Sequence, residues 1–223
     1  MKRLLFLLII GLAGAATLVA LGAWQVQRLE WKRGLLAGID ARIAAAPVAL
    51  PAQPDPDQDR YLAVRTAGTI LPGELFVLVS VKQVGPGFRV IAPFRTDDGR
   101  RILVDRGFVR DTARGSVRFL GPAEITGNLA WPDETDSFTP EPDRKAETWF
   151  ARDVTAMAAA LDTEPLLLVA RTETDPAVTP LPVDSAAIPN DHLQYAITWF
   201  SLAAIWIGMT AHFLWRTRAR RET

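Results

Sequence analysis

Residues 4–24 read LLFLLIIGLAGAATLVALGAW, and residues 193–215 read LQYAITWFSLAAIWIGMTAHFLW. Neither stretch contains Asp, Glu, Lys or Arg. As helices of 21 and 23 residues they would rise about 31 to 35 Å, enough to cross a hydrocarbon core of roughly 30 Å. Two such spans at opposite ends of a 223-residue chain hold positions 25–192 at one membrane face, where there is room for one compact domain.

Charge sets the orientation. Lys2 and Arg3 precede the first span, and Arg216, Arg218, Arg220 and Arg221 follow the second. By the positive-inside rule both flanks belong in the cytoplasm. Arg28, Lys32 and Arg33 after the first span oppose this, but they open a long segment, and long segments translocate largely regardless of charge. Positions 25–192 carry 19 basic against 24 acidic residues, a net of about −5, so no nucleic-acid surface is expected. A cleaved signal peptide is the competing reading of the N-terminus, with Ala13-Gly14-Ala15 as a small-residue site, but the apolar run continues past it and exceeds an ordinary h-region. A run starting at residue 4 also leaves no space for a transit peptide. The expected address is a bacterial inner membrane: residues 1–3 inside, span 4–24, periplasmic domain 25–192, span 193–215, and a basic cytoplasmic tail 216–223. Cysteine is absent, which excludes disulfides, thiolate metal sites and thiol nucleophiles.

Between the spans the expected class is α+β, a mainly antiparallel sheet with a short helix. Trp24, Arg28, Trp31 and Leu35 recur on one helical face, so the first helix runs on to about Ala46. The segment 47–60, with Pro47, Pro51, Pro54 and Pro56 among aspartates, reads as an exposed linker. β-branched and aromatic runs predict strands at 62–69, 74–82, 88–95, 101–108, 123–128 and 166–171, and a helix at 151–161. Turn signals lie at Leu71-Pro72-Gly73, Gly85-Pro86-Gly87 and Asp97-Asp98-Gly99, the last being the clearest hairpin. Prolines 176, 180, 182 and 189 make an extended approach to the second span.

His192 and His212 are the two histidines, and 20 residues of helix put them about 30 Å apart, too far to share a metal within one chain. His212 lies one turn from Arg216 and reads as interfacial. His192 stands at the mouth of the second span, and Tyr195, Trp199 and Trp206 follow on the same helical face. That is either an imidazole above an aromatic stripe suited to a flat amphiphilic macrocycle, or the ordinary aromatic belt of a bilayer interface formed with Trp24 and Trp31. The Arg28, Lys32 and Arg33 cluster has two readings as well, as partners for ligand carboxylates or for lipid headgroups. Arg106-Gly107 ends a β-rich run, where an arginine is either structural or ligand-binding. G-x-S-x-G, HExxH and P-loop motifs are missing, so an enzyme is not expected.

In order along the chain come Leu21-Gly22-Ala23-Trp24-Gln25-Val26-Gln27-Arg28 with Trp31-Lys32, then Ala92-Pro93-Phe94, and Ile102-Leu103-Val104-Asp105-Arg106-Gly107-Phe108-Val109. Phe138-Thr139-Pro140-Glu141 with Trp149-Phe150-Ala151-Arg152-Asp153, and Asn190-Asp191-His192-Leu193-Gln194-Tyr195-Ala196-Ile197-Thr198-Trp199-Phe200, complete the series. This series resembles the Surfeit-locus family of cytochrome oxidase assembly proteins. The resemblance implies a membrane factor that binds haem A as cargo and assists its insertion into the catalytic subunit of a haem-copper (cytochrome c) oxidase. It implies His192 as the iron ligand, with Tyr195, Trp199, Trp24, Gln25, Arg28 and Arg106 as further cofactor-binding candidates. The implied partners are the oxidase catalytic subunit, the lipid bilayer and, as a further candidate, haem A synthase. The alternative is a scaffold that stabilises an oxidase subunit without touching haem.

Overall fold

The computed structural model describes residues 2–143, 145–186 and 188–219. Arg220 and Arg221 of the expected basic tail lie outside the described residues. The chain divides into two compact units, Met1–Gly38 with Ser185–Thr223, and Ile39–Asp184. Among the described residues the α-helices are α1 (Lys2–Ala44), α2 (Val154–Leu161) and α3 (His192–Ala219).

No proline interrupts α1, so the helix leaves the apolar stretch unbroken and stops just before Pro47. Its 43 residues extend about 65 Å, twice the thickness of a hydrocarbon core. Leu5, Phe6, Leu12, Ile197, Ile205 and Trp215 all stand exposed on α1 and α3. Helices in a soluble core would bury such side chains; these two are long and apolar enough to cross a membrane, which would cover them. Within this unit they run antiparallel in close contact. A Cβ at Gly11, Gly14 or Gly22 would lie 2.2, 2.5 or 2.7 Å from Thr210, Trp206 or Phe200, so small residues are what allow the approach. Trp206 Nε1 donates to the Gly11 carbonyl at 3.0 Å, satisfying an indole that apolar surroundings would otherwise strand.

The other unit is built on an eight-stranded mixed sheet. Its strands are β1 (Val48–Ala49), β2 (Ala63–Ile70), β3 (Leu75–Val81), β4 (Gly85–Thr96), β5 (Arg101–Arg110), β6 (Gly121–Ala130), β7 (Thr148–Trp149) and β8 (Leu167–Ala170). The spatial order is β1-β2-β6-β8-β5-β4-β3-β7, and a further β2–β4 pairing, Ile70 opposite Phe94, closes β2, β6, β8, β5 and β4 into a small barrel. Alternate side chains fill it: Val64 and Ile70, Ala92 and Phe94, Ile102 and Val104, Ile125 and Leu129, Leu168 and Ala170. The intervening residues Ile91, Leu103, Leu167 and Val169 form a second core with Met157 and Ala158 of α2 and with Trp149. Strands β5 and β8 are thus buried on both faces, which is why their sequences ILV and LLVA do not alternate.

Strand positions agree with the sequence reading to within a few residues, and Asp97-Asp98-Gly99 makes the β4–β5 hairpin, with Gly99 at φ +90. Asp153 caps α2 by accepting from the Ala156 amide at 2.9 Å, so the helix begins at Val154 rather than at 151. Three features differ from expectation. Gly85-Pro86-Gly87 is not a turn but the start of β4, paired with Val81, Ser80 and Val79; the turn comes just before, with Gln83 at φ +68. Antiparallel pairings dominate, but β8 joins β5 in parallel, as β1 joins β2 and β7 joins β3. The helix between β6 and β8 makes this possible, returning the chain beside β5 in the same sense. Last, segment 47–60 is not wholly exposed: β1 pairs with β2, Leu50 packs on the barrel core, and the Pro51 carbonyl accepts from Arg100 at 2.7 Å.

Candidate functional site

His192 is the first residue of α3, and its ring is half-buried. Nδ1 lies 2.8 Å from Oε1 of Gln25, whose side chain is buried on α1. The antiparallel pairing brings these ends together: the contacts of Gly11, Gly14 and Gly22 with Thr210, Trp206 and Phe200 climb α1 while descending α3, and beyond the last of them the side chains of Gln25 and of His192, the first residue of α3, reach each other. Nε2 of His192 makes no hydrogen bond among the described residues, so one ring nitrogen is held and the other is available to a ligand. Two residues before it, the Oδ1 of Asn190 is enclosed without a hydrogen-bond partner among the described residues. One oriented imidazole with its second nitrogen uncommitted fits a group that takes a single nitrogen ligand.

The remaining candidates fall into separate groups. Trp199 is half-buried on α3, whereas Tyr195, one turn from His192, is exposed. Trp206, also on that face, is turned to α1 and engaged with Gly11. On α1 the inward positions are Gly22, Gln25 and Leu29, while Trp24, Arg28, Trp31 and Leu35 are exposed. Arg28 stacks on Trp31, its guanidinium carbon 4.4 Å from the ring centre, which leaves its N–H groups accessible. Helical spacing puts Trp24 and Gln25 about 100° apart, so α1 presents Gln25 and not Trp24 towards α3.

Arg106 belongs to the β-rich unit and is completely buried. Its guanidinium donates to Glu74 Oε1 at 2.9 Å, Thr174 Oγ1 at 3.2 Å and the Phe119 carbonyl at 3.0 Å, with Asp175 at 3.7 Å. Glu74 also takes Arg118 at 2.6 Å. Every side of the Arg106 guanidinium is thus occupied inside the domain, the structural reading of that residue.

A β-bulge makes the arrangement possible. Val90 pairs with Gly107 and Ile91 with Asp105, leaving Arg106 as the extra residue of β5, and Gly107 adopts φ +121. Neighbouring charges thereby enter two different buried arrays. Asp105, also fully buried, accepts from Arg89 at 2.6 Å and from the Gly107 amide at 3.1 Å, with Arg152 at 3.8 Å. Burial pushes its carboxyl above the usual range, against the pull of Arg89 and Arg152. Burial likewise draws Arg106 below its ordinary value, opposed by Glu74 and Asp175. Glu134, which pairs with Arg152, goes the other way: burial raises it, but the hydrogen bond and charge of Arg152 hold it below the ordinary glutamate range. Sequence reasoning missed these arrays, although an Asp-Arg pair inside an apolar strand buried on both faces is their signal.

A groove of about 680 Å³ beside the Arg106 array is lined by Phe76, Arg114, Val117, Arg118 and Lys145. Its arginines are engaged, Arg118 with Glu74 and Arg114 between the rings of Phe76 and Phe88 at 4.6 and 4.5 Å. Among the described residues no group of three or more His, Asp or Glu side chains could hold a metal ion.

The chain is similar to known proteins over nearly its whole length. It is 30% identical to Surfeit locus protein 1 of Rattus norvegicus, across 93% of this chain and 74% of that protein. It is 29% identical to Surfeit locus protein 1 of Homo sapiens, across 93% and 75%. With the SURF1-like protein of Drosophila melanogaster the identity is 33%, across 90% and 73%. The SURF1 family model matches residues 12–204, which take in α1 from beyond its second turn, the entire barrel, Gln25 and His192, and the chain therefore belongs to the SURF1 family.

Proposed function

We propose that this chain is a membrane-anchored assembly factor for a haem-copper (cytochrome c) oxidase that holds haem A through His192 and passes it to the oxidase catalytic subunit. The family is one of cytochrome oxidase assembly factors, and the two apolar helices supply the anchor. The basic flanks support an orientation with both ends in the cytoplasm and the barrel unit in the periplasm of a bacterial inner membrane.

The observation that carries the reading is the contact of His192 with Gln25. It sets one imidazole, with Nε2 uncommitted, at the end of a helix pair whose outer surface is apolar. Haem A would bring an iron that takes a nitrogen ligand and carboxylates that need cations. His192 would hold the iron through Nε2, and Trp199 and Tyr195 would offer rings on the same helix for the macrocycle. Arg28, exposed and anchored on Trp31, is the cation for a propionate. Arg106 is left out of this assignment because its donors are consumed within the barrel unit. Held by one neutral nitrogen, the iron would be bound more weakly than by two strong ligands, which would suit delivery. The chain supplies binding and orientation only, the work of a carrier rather than an enzyme.

The test is the absorption spectrum of protein purified from cells that make haem A. Wild type should carry haem and His192→Ala should lose it. Stoichiometric haem in the folded variant would refute the ligand assignment.

A further inference from the structure

We propose that Gln25 is a positioning residue that fixes His192 as the Nδ1–H tautomer and so keeps the Nε2 lone pair ready for metal. This deepens the carrier reading and rests on it for its purpose, but not for its chemistry. With the Gln25 amide placed as in this structure, Oε1 accepts, and in a neutral ring the nitrogen 2.8 Å away is the one bearing the proton; the flipped amide, with Gln25 Nε2 donating to a bare Nδ1, is the alternative that the first measurement below separates. A neutral imidazole has one N–H, and Nε2 is then bare. Gln25 is buried, so water does not compete for this contact from its side, and no second residue shares it among the described residues. In water a free neutral histidine favours the opposite tautomer, with Nε2 protonated. That form cannot ligate through Nε2 until its proton moves.

The choice of an amide also has a consequence for release. A carboxylate hydrogen-bonded to the far nitrogen raises the basicity of a metal-bound imidazole, whereas a neutral amide orients the ring with less added electron density. Gln25 therefore gives direction without a strong grip, as a carrier of transient cargo requires.

Two measurements on the full chain in lipid nanodiscs test this. With only two histidines, selective 15N labelling of the rings gives two spin systems, and His212→Asn assigns them. In the ligand-free wild type at a pH where the ring is neutral, His192 should show a protonated Nδ1 and a bare Nε2. In Gln25→Leu the bare-nitrogen resonance should shift to Nδ1. A wild-type spectrum with Nε2 protonated overturns the proposal without any variant having to fold. In protein loaded with haem and reduced, the iron–histidine stretch should rise in Gln25→Glu relative to wild type, and an unchanged stretch counts against the proposal. If His192→Ala keeps its haem while the ligand-free tautomer is as stated, the carrier assignment of His192 fails and the positioning by Gln25 stands.

Discussion

Replacing Arg106 by Met separates a structural arginine from a ligand-binding one. The guanidinium is fully buried and bridges Glu74, Thr174, Phe119 and Asp175. Deleting one partner of a buried ion pair costs about 3 to 5 kcal/mol, because the carboxylate left behind stays desolvated. Here Glu74 keeps Arg118 at 2.6 Å and Asp175 keeps the Ala177 amide at 2.7 Å, so the loss belongs at the lower end. A loss of about 3 kcal/mol raises the opening equilibrium of the barrel unit roughly a hundredfold. Hydrogen exchange on the full chain reads this directly at the amides of Leu103, Val104 and Leu168, which lie in the barrel wall. Glu74→Gln should be milder when combined with Arg106→Met than alone, since the pair is then already broken. A loss below about 1 kcal/mol would refute the burial argument. Normal protection together with haem lost from folded protein would make Arg106 a ligand contact after all.

Gly107→Ala should weaken the same unit by about 2 to 4 kcal/mol, since φ +121 penalises a side chain and the new Cβ would sit 2.2 Å from the Thr179 carbonyl; urea unfolding checks it, and wild-type stability would contradict it. Gly14→Leu should drive α1 and α3 apart, because even a Cβ there meets the Trp206 indole at 2.5 Å; crosslinking between cysteines introduced at positions 7 and 214 would fall, and undiminished crosslinking would sink the packing assignment. For pH, Glu134 binds its proton more weakly in the fold than in the unfolded chain, so its stabilisation is complete above the ordinary glutamate range and disappears as pH falls through the depressed folded value. Glu134→Gln should therefore reduce the acid-side loss of stability in a pH series of melting curves. Asp105 acts in the opposite sense, since burial raises its value and its contribution weakens as pH rises towards that value.

The elements were legible in the sequence because each has a local signal. Two charge-free runs gave the outer helices, alternating β-rich runs gave β2 to β6, and Asp97-Asp98-Gly99 gave the hairpin. Closure of the barrel was not legible, since the pairing of Ile70 with Phe94 joins residues far apart in sequence and leaves no periodicity of its own. The direction of β8 was hidden for a related reason: LLVA, buried on both faces, reads alike for a parallel and an antiparallel neighbour. At the candidate site the sequence singled out His192 by its place at a span boundary, but it could not say which of the polar residues around the first span would face it. Periodicity drew attention to Trp24, Arg28 and Trp31, the conspicuous residues, and these are the exposed face of α1. The inward face is the plain one, Gly22, Gln25 and Leu29, and its identity follows only from the register of the pair. The glycines explain why that register is specific. Between apolar helices in lipid there is little hydrophobic gain from burial, so van der Waals fit decides, and glycines opposite Thr210, Trp206 and Phe200 permit close packing in one alignment. A slip of one helical turn would put side chains against these bulky residues and would also carry Gln25 about 5 Å along the axis, out of hydrogen-bond range of His192. The orientation of the imidazole is thus set by packing that begins some 20 Å away along the same helices, at Gly11 and Thr210.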